Sequence, residues 1–234
     1  FAGRAAVSGD FNFYGGYQSG LSNTADGNVF VGYLSGSTST TANNSVAIGK
    51  QALNGGVMTG DFNIGIGRTV GGAITSGTQN ICMGVDSLAA LTTGSYNVAL
   101  GSSALRTGAV SANGNVAIGY QAMRNTSSSH NTAIGYQAGY NNAAGTIVAV
   151  GNNALYANTS GTDNTAVGNG ALIANNTGYE NVSVGGASGD AITDGIRNTV
   201  VGYAALTTDT RGTNTVAIGY AALFAQNFTS TTQT

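Results

Sequence analysis

The chain has 234 residues, of which 38 are Gly and none is Pro; 41% are apolar and only 7% are charged. The lack of Pro excludes collagen, and the high apolar content with a net charge of −2 excludes an intrinsically disordered chain. The same net charge gives no electrostatic footprint for nucleic acid or for an anionic membrane surface, and no apolar run approaches the roughly 18 residues of a membrane span.

Residues 1–8 form a lead-in to the rest of the chain. They contain no starting Met and lack the charged-then-apolar order of a signal peptide. We therefore expect the chain to be a processed product or part of a longer protein.

From residue 9 to residue 223 one phrase recurs, as in NVAIGYQAM at 115–123 and NTAIGYQAG at 131–139. Aligning the copies on the glycine after the apolar triplet gives thirteen copies about 17 residues apart, and such regularity indicates a repeat architecture. Positions are numbered below from this aligned glycine, so that position −4 lies four residues before it. The aligned glycines are Gly16, Gly32, Gly49, Gly67, Gly84, Gly101, Gly119, Gly135, Gly151, Gly168, Gly185, Gly202 and Gly219.

Each position of the repeat has its own character. Asn occupies position −4 in ten of the thirteen copies, among them Asn115, Asn131, Asn164 and Asn198. Positions −3 and −1 are mostly aliphatic, position −2 is small, and position +3 is Ala or Ser in twelve copies. Helical hairpin repeats need about 33 residues, twice this period, and β-branched triplets bounded by Gly, Asn and Thr are typical of strands and turns. The sequence therefore predicts an all-β fold, a parallel β-roll or β-solenoid of about 13 coils.

The alternation of side chains along a strand assigns a role to each position. We expect the aliphatic pair at −3 and −1 to fill the inside of the coil, and the small residue at −2 to face outward. Stacked Asn side chains at −4 can form an amide ladder. The aligned glycine either takes a positive φ or lets another backbone approach closely. An outward face of uncharged Ala would pack against identical chains, so we expect a homo-oligomer.

The motif N-[TV]-[AV]-[IV]-G-x-x-A-L, as in NTAVGNGAL at 164–172 and NTVVGYAAL at 198–206, resembles the YadA-like head repeat of trimeric autotransporter adhesins. Similar repeats occur in phage tail fibres, often upstream of a self-cleaving intramolecular chaperone. The resemblance covers about residues 9–223, nearly the whole chain. It implies a left-handed parallel β-roll in a homotrimer that works as a surface-exposed adhesive or spacing rod.

Residues 224–234, FAQNFTSTTQT, form a polar C-terminal tail. They have no heptad pattern, so they do not predict the coiled-coil stalk of an autotransporter adhesin, and no membrane anchor or chaperone domain is recognised. The period is somewhat longer than that of the compact adhesin head, which predicts a larger turn on one edge. These departures favour a fibre segment, or a fibre whose chaperone has been removed.

One column of the repeat suggests catalysis. Asp163, Glu180 and Arg197 occupy position −5 in consecutive copies, and stacking would put the two carboxylates about 5 Å apart, near the separation in a retaining glycosidase. The simpler interpretation is an exposed turn column in which Arg197 offsets two negative charges. We prefer this interpretation and assign no catalytic residue.

Other chemistry-bearing residues have similar simple interpretations. His130 stands alone in the same variable column, and Cys82, the single cysteine, replaces a small packing residue at −2. The glycines of GIGRTVGG at 65–72 largely belong to the repeat, so they do not indicate a nucleotide site. Asp residues at 10, 26 and 61 could hold Ca²⁺, but the Asp pattern of calcium-binding nonapeptide rolls is missing. We predict no metal site and no cofactor.

Tyr follows the aligned glycine in six copies, and two neighbouring copies add Gln after it. Tyr120, Gln121, Tyr136 and Gln137 form a candidate receptor strip, because Tyr offers both contact area and a hydroxyl. Packing between coils or between chains is the preferred interpretation of the same residues.

These observations predict a structural and adhesive protein, not an enzyme. We expect a homotrimeric rod in a virion tail fibre or at a cell surface, with a polysaccharide or protein receptor and other fibre or adhesin segments as partners. The alternatives are the head of a bacterial trimeric adhesin and a monomeric solenoid that binds ice or another ordered surface. The last needs a regular Thr column, whereas position −3 is Thr only at 132, 165 and 199.

Overall fold

The computed structural model describes residues 9–107, 111–143 and 145–227. The predicted lead-in, 1–8, and most of the predicted tail, 228–234, lie outside the described residues. Regular structure in the described ranges consists of thirteen short strands, and no helix occurs in them. In these ranges there is accordingly no apolar helix long enough to cross a membrane.

The chain divides into two compact units, residues 1–115 and 116–234. Each strand covers the apolar triplet of one repeat, because β-branched residues favour extended backbone and the flanking Gly and Asn favour turns. The strands of the first unit are β1 (Phe13–Gly15), β2 (Val29–Val31), β3 (Val46–Ile48), β4 (Ile64–Ile66), β5 (Ile81–Met83) and β6 (Val98–Leu100). Those of the second are β7 (Val116–Ile118), β8 (Thr132–Ile134), β9 (Ile147–Val150), β10 (Asn164–Val167), β11 (Val182–Val184), β12 (Thr199–Val201) and β13 (Val216–Ile218).

Within each unit every strand pairs in parallel with the next strand in the chain. The register joins equivalent positions of the repeat, as where Val46 pairs with Ile64 and Thr165 pairs with Val182. Each repeat is thus one coil of a parallel β-solenoid, which confirms the predicted fold class.

The coil is filled from position −2, which corrects the predicted facing of the strands. Residues at −2 are buried in twelve coils, whereas those at −3 and −1 remain partly exposed. A β-carbon added to Gly65, at −2, would lie 2.9 Å from Leu53 and 3.3 Å from Val70, which shows how closely positions +3 and +4 approach the strand. Positions +3 and +4 also occupy the inside of the coil beside the strand, and the residue at −2 turns inward with them while the pair at −3 and −1 turns outward.

Large and small side chains compensate one another inside the coil. Position +4 is usually a buried Leu or Met with positive φ, such as Leu172 at 50°. Where position −2 carries a large ring, position +4 is Gly instead. Phe30 is fully buried, and a β-carbon on Gly36 would lie 2.6 Å from its ring. A ring at −2 therefore takes the space that Leu or Met at +4 fills in other coils.

The aligned glycine is required for both of the reasons that the sequence left open. Its φ lies between +111° and +141° in all thirteen coils, and in most coils an added β-carbon would approach the carbonyl of the next aligned glycine. At Gly151, for example, φ is +140° and the added atom would lie 2.3 Å from the carbonyl oxygen of Gly168. Neither the dihedral nor the space admits a side chain.

The predicted amide ladder at position −4 is confirmed. Asn181 is buried, and its Nδ2 donates to Oδ1 of Asn164 at 3.1 Å and to the carbonyl of Gly195 at 2.8 Å. Its Oδ1 accepts from both the backbone nitrogen and Nδ2 of Asn198, each at 2.9 Å. Each amide joins one coil to the next and satisfies buried backbone groups.

A second buried amide ladder, which was not predicted from the sequence, runs along position +7 of the second unit. Asn158 donates to Oδ1 of Asn142 at 2.7 Å, and Asn175 donates to Oδ1 of Asn158 at 3.1 Å. The recurrence of Asn seven residues after three successive aligned glycines is the signal that could have revealed it. Other coils bury Ile at the same position, as at Ile74 and Ile192.

Candidate functional site

The side chains at positions −3 and −1, named here the outward face, form an apolar surface that remains partly exposed. No residue at these positions is charged in any coil. Well inside the stack, Met83 is 39% exposed, Ile134 38% and Val182 40%. Because aliphatic side chains favour burial, this face is a candidate interface.

The area of the outward face can be compared with that of ordinary surfaces. The second unit contributes fourteen of these side chains, three of which are Thr. Six of them are more than a third exposed, and the other eight are less exposed. If a Val or Ile side chain carries about 120 Å² of apolar surface, those six alone expose roughly 340 Å². The largest apolar patch of a typical monomer is about 300–600 Å² and is often functional. The face of this unit is therefore at least as large as the patches by which proteins commonly bind partners.

The column at position −5 has the character of an exposed turn. Arg197 Nε lies 2.7 Å from Glu180 Oε2, and both side chains are about half exposed. This hydrogen bond, with the negative charge of Glu180, raises the pKa of Arg197. The carboxylate of Asp163 instead accepts a hydrogen bond from the hydroxyl of Thr146. The general acid of a glycosidase must carry a proton, whereas Glu180 is engaged as the partner of a guanidinium.

A shallow notch of about 300 Å³ lies beside this column in the second unit. His130 and Asp163 flank Thr146, whose side chain is smaller than either, and Val148 and Thr165 form the side toward the outward face. His130 is exposed, as its place in a turn predicts. The notch is thus a polar recess at the edge of the outward face.

The candidate receptor strip is brought together by the fold. The rings of Tyr120 and Tyr136 stack with centroids 5.4 Å apart and an interplanar angle of 19°, and each residue is 47% exposed. Gln137 Nε2 donates to Gln121 Oε1 at 2.8 Å. The same side chains therefore pack coil against coil and leave a continuous strip of ring edges, hydroxyls and amides on the surface.

The three Asp residues considered for Ca²⁺ lie in one column at position −6, where the carboxylates of Asp26 and Asp61 accept hydrogen bonds from backbone nitrogens. Asp26 Oδ1 accepts from the backbone nitrogen of Asp10 at 2.7 Å, and Asp61 Oδ1 accepts from that of Asn43 at 2.7 Å. Asn43, at the same position, accepts through its Oδ1 from the backbone nitrogen of Asp26 at 3.0 Å. In the part of the chain that the structure describes, no three His, Cys, Asp or Glu side chains are placed to hold a metal ion.

Burial perturbs the pKa of three side chains on three separate coils. It raises the pKa of the Tyr14 hydroxyl, of the Cys82 thiol and of the Asp190 carboxyl. No two of them share a repeat, so these shifts do not single out one site.

Cys82 is expected to resist thiol reagents in the folded protein. It is fully buried, its Sγ lies 3.3 Å from the carbonyl oxygen of Ile64, and burial raises its pKa from 9.0 to about 12. The reactive thiolate is therefore scarce at pH 8. We expect negligible labelling by a chromogenic disulfide reagent at that pH, and stoichiometric labelling in denaturant. Rapid labelling of the native chain would contradict the packing role.

The same shift has a consequence for stability. Since the folded-state pKa lies above the unfolded value, the folded chain holds the thiol proton more tightly. The contribution of Cys82 to the free energy of unfolding is fully present below pH 9.0 and is lost as pH rises toward about 12. A Cys82→Ala variant should lack this part of the alkaline destabilisation.

One further group, at position +1, was not predicted from the sequence. Two exposed basic residues, Lys50 and Arg68, follow the stacked pair of Tyr17 and Tyr33 in consecutive coils of the first unit. The repeat alignment alone was enough to reveal this order.

The chain has no significant match among protein-family models, curated proteins or solved structures.

Proposed function

We propose that the chain is a structural and adhesive fibre protein that assembles as a homotrimer and forms part of a phage tail fibre that contributes to host-surface attachment. The outward face carries this proposal. It is apolar, uncharged and continuous through consecutive coils within each unit, and a second and third copy of the chain are the partners that present the same surface to it.

Such a fibre acts by binding the host surface, without a chemical reaction. Three copies display the same turn columns side by side, so weak contacts to a repetitive host polymer combine into strong overall binding. The strip of Tyr120, Gln121, Tyr136 and Gln137 offers hydroxyls and amides to a polysaccharide or protein receptor. The resemblance to YadA-like head repeats supports the same assembly, and a bacterial surface adhesin would use it in the same way.

The mass of the chain in solution tests the assembly. A homotrimer has three times the mass of the 23.1 kDa chain, which light scattering coupled to size-exclusion chromatography distinguishes from a monomer. A folded species of 23.1 kDa would overturn the homotrimer and favour a monomeric solenoid that binds an ordered surface.

Adsorption of the purified trimer to bacterial cells, with competition by their extracted surface polysaccharide, then tests attachment. A trimer that binds no cell or polysaccharide would leave a spacer without adhesive function.

A further inference from the structure

Four exposed side chains emerge side by side at position +1 of four consecutive coils in the first unit. They are Tyr17, Tyr33, Lys50 and Arg68, named here the basic aromatic strip. The coils are joined at this position by backbone hydrogen bonds. The carbonyls of Tyr17, Tyr33 and Lys50 accept at 2.9, 2.8 and 3.0 Å from the nitrogen at position +2 of the following coil. Neighbouring side chains are thus about one strand spacing, ~4.8 Å, apart.

The two rings of this strip present edges and hydroxyls to solvent. Tyr17 and Tyr33 stack with centroids 5.4 Å apart and an interplanar angle of 11°. Lys50 Nζ lies 5.8 Å from the centroid of Tyr33, on the coil that follows it. Tyr17 and the Lys50 ammonium therefore lie toward opposite faces of the Tyr33 ring. A ligand meets this ring mainly at its edge and its phenolic hydroxyl, which suits a hydroxyl-rich polymer.

The two cations of this strip stand outside the ion pairs that the structure describes. Arg106, Arg197 and Arg211 each pair with a carboxylate, at 3.6, 2.7 and 3.6 Å respectively. Lys50 and Arg68, in contrast, form no ion pair with any described residue, although both are exposed. Asp86, which follows at position +2 of the next coil, is engaged by Arg106 and by the hydroxyl of Thr69. Two adjacent cations without an ion-pair partner therefore mark a local site for negative charge.

We propose that the basic aromatic strip binds an acidic glycan, a linear polysaccharide that bears carboxylate or sulfate groups. Lys50 and Arg68 contact the anionic groups, and the edges and hydroxyls of Tyr17 and Tyr33 contact the sugar. The glycan lies along the column, across successive coils. The inference rests on the proposed attachment function and names the class of surface polymer. The strip at Tyr120 and Tyr136 is followed by Asn152 and Asn169, which carry no charge, so it lacks this selectivity.

A charge-matched pair of variants tests the proposal. Lys50→Gln with Arg68→Gln removes two positive charges from the strip, whereas Arg197→Gln with Arg211→Gln removes two positive charges elsewhere. The full chain is titrated into fluorescently labelled hyaluronate, which carries carboxylates, into dextran sulfate and into neutral dextran. We expect the wild-type chain to bind an acidic polymer at low salt. The strip variant should bind this polymer roughly 10- to 100-fold more weakly than the wild-type chain, and the control variant less than about twofold more weakly.

The outcomes separate the strip from the fibre function. Preference for hyaluronate or for dextran sulfate identifies the anionic group that is read. Equal weakening in both variants would show that only net charge matters and would overturn the site, as would equal binding of neutral dextran. If the wild-type chain binds neither acidic polymer but still adsorbs to cells as a trimer, the strip fails and the attachment function stands. Loss of adsorption and of the trimer together would remove the function on which the strip rests.

Discussion

Replacing Gly168 with Ala is expected to lower the free energy of unfolding by about 3–5 kcal/mol, a large change for one methyl group. The φ of Gly168 is +141°, outside the left-handed well that other residues reach. The added β-carbon would also lie 2.2 Å from the carbonyl oxygen of Gly185 and 2.5 Å from its carbon. Both atoms are backbone of the next coil, so they cannot rotate away. The clash must therefore be relieved by separating two coils.

Gly170 provides a matched control in the same coil. Its φ is +66°, within the left-handed well, and no atom lies within 4 Å of an added β-carbon. Gly170→Ala should therefore cost only about 1 kcal/mol. Guanidinium denaturation followed by far-UV circular dichroism, at equal protein concentration, measures both variants. Similar losses in the two variants would show that backbone freedom, and not the close approach of coils, explains the glycine column.

The architecture could be predicted from the sequence because the same pattern recurs in thirteen aligned copies. The period excluded helical hairpins, and the Asn column identified the amide ladder that links Asn164, Asn181 and Asn198. The aligned glycine was recognised as special, and the structure shows that both proposed reasons apply. These conclusions rest on positions where a single backbone geometry recurs in every coil.

The facing of the strand could not be predicted from the sequence. Alternation fixes which residues share a face but does not say which face is inside, and the usual rule puts Val and Ile inside. Here the residues after the aligned glycine decide, because positions +3 and +4 share the inside of the coil with position −2. In the coil that has Val70 at +3, a β-carbon added to Gly65 would lie 3.3 Å from Val70 and 2.9 Å from Leu53. The predicted Ala surface was wrong, and the oligomer prediction now concerns the aliphatic surface instead.

The candidate sites were predictable only in part. The pairing of Tyr120 with Tyr136 followed directly from the register, as did the exposed position of His130. The ion pair of the charged column follows from the register too, which puts Arg197 one coil from Glu180 and two coils from Asp163. The unpaired charges of Lys50 and Arg68, in contrast, appear only when the partners of the other cations are known.

Two negative charges on β11 are expected to abolish the homotrimer and leave the coil folded. Val182 and Val184 are 40% and 37% exposed, and both belong to the outward face. Their side chains point away from the inside of the coil, so Val182→Glu with Val184→Glu should change monomer secondary structure little. In a trimer the four introduced charges of each neighbouring pair of chains would meet in a dry interface, where an unpaired charge costs several kcal/mol.

The matched control puts the same two charges on an exposed column of the same unit. Asn152 and Asn169 occupy position +1 of consecutive coils and are exposed, so Asn152→Glu with Asn169→Glu should leave the assembly intact. Light scattering should give the mass of three chains for the control and 23.1 kDa for the β11 variant, with the same far-UV spectrum. A β11 variant that keeps the mass of three chains would place the contacts between chains on another surface. A variant that loses its secondary structure as well would show that no stable monomer exists. In that case the milder variant, Val182→Thr with Val184→Thr, should lower the thermal midpoint of the trimer. The midpoint should also rise with protein concentration, because association stabilises a dissociating trimer by mass action.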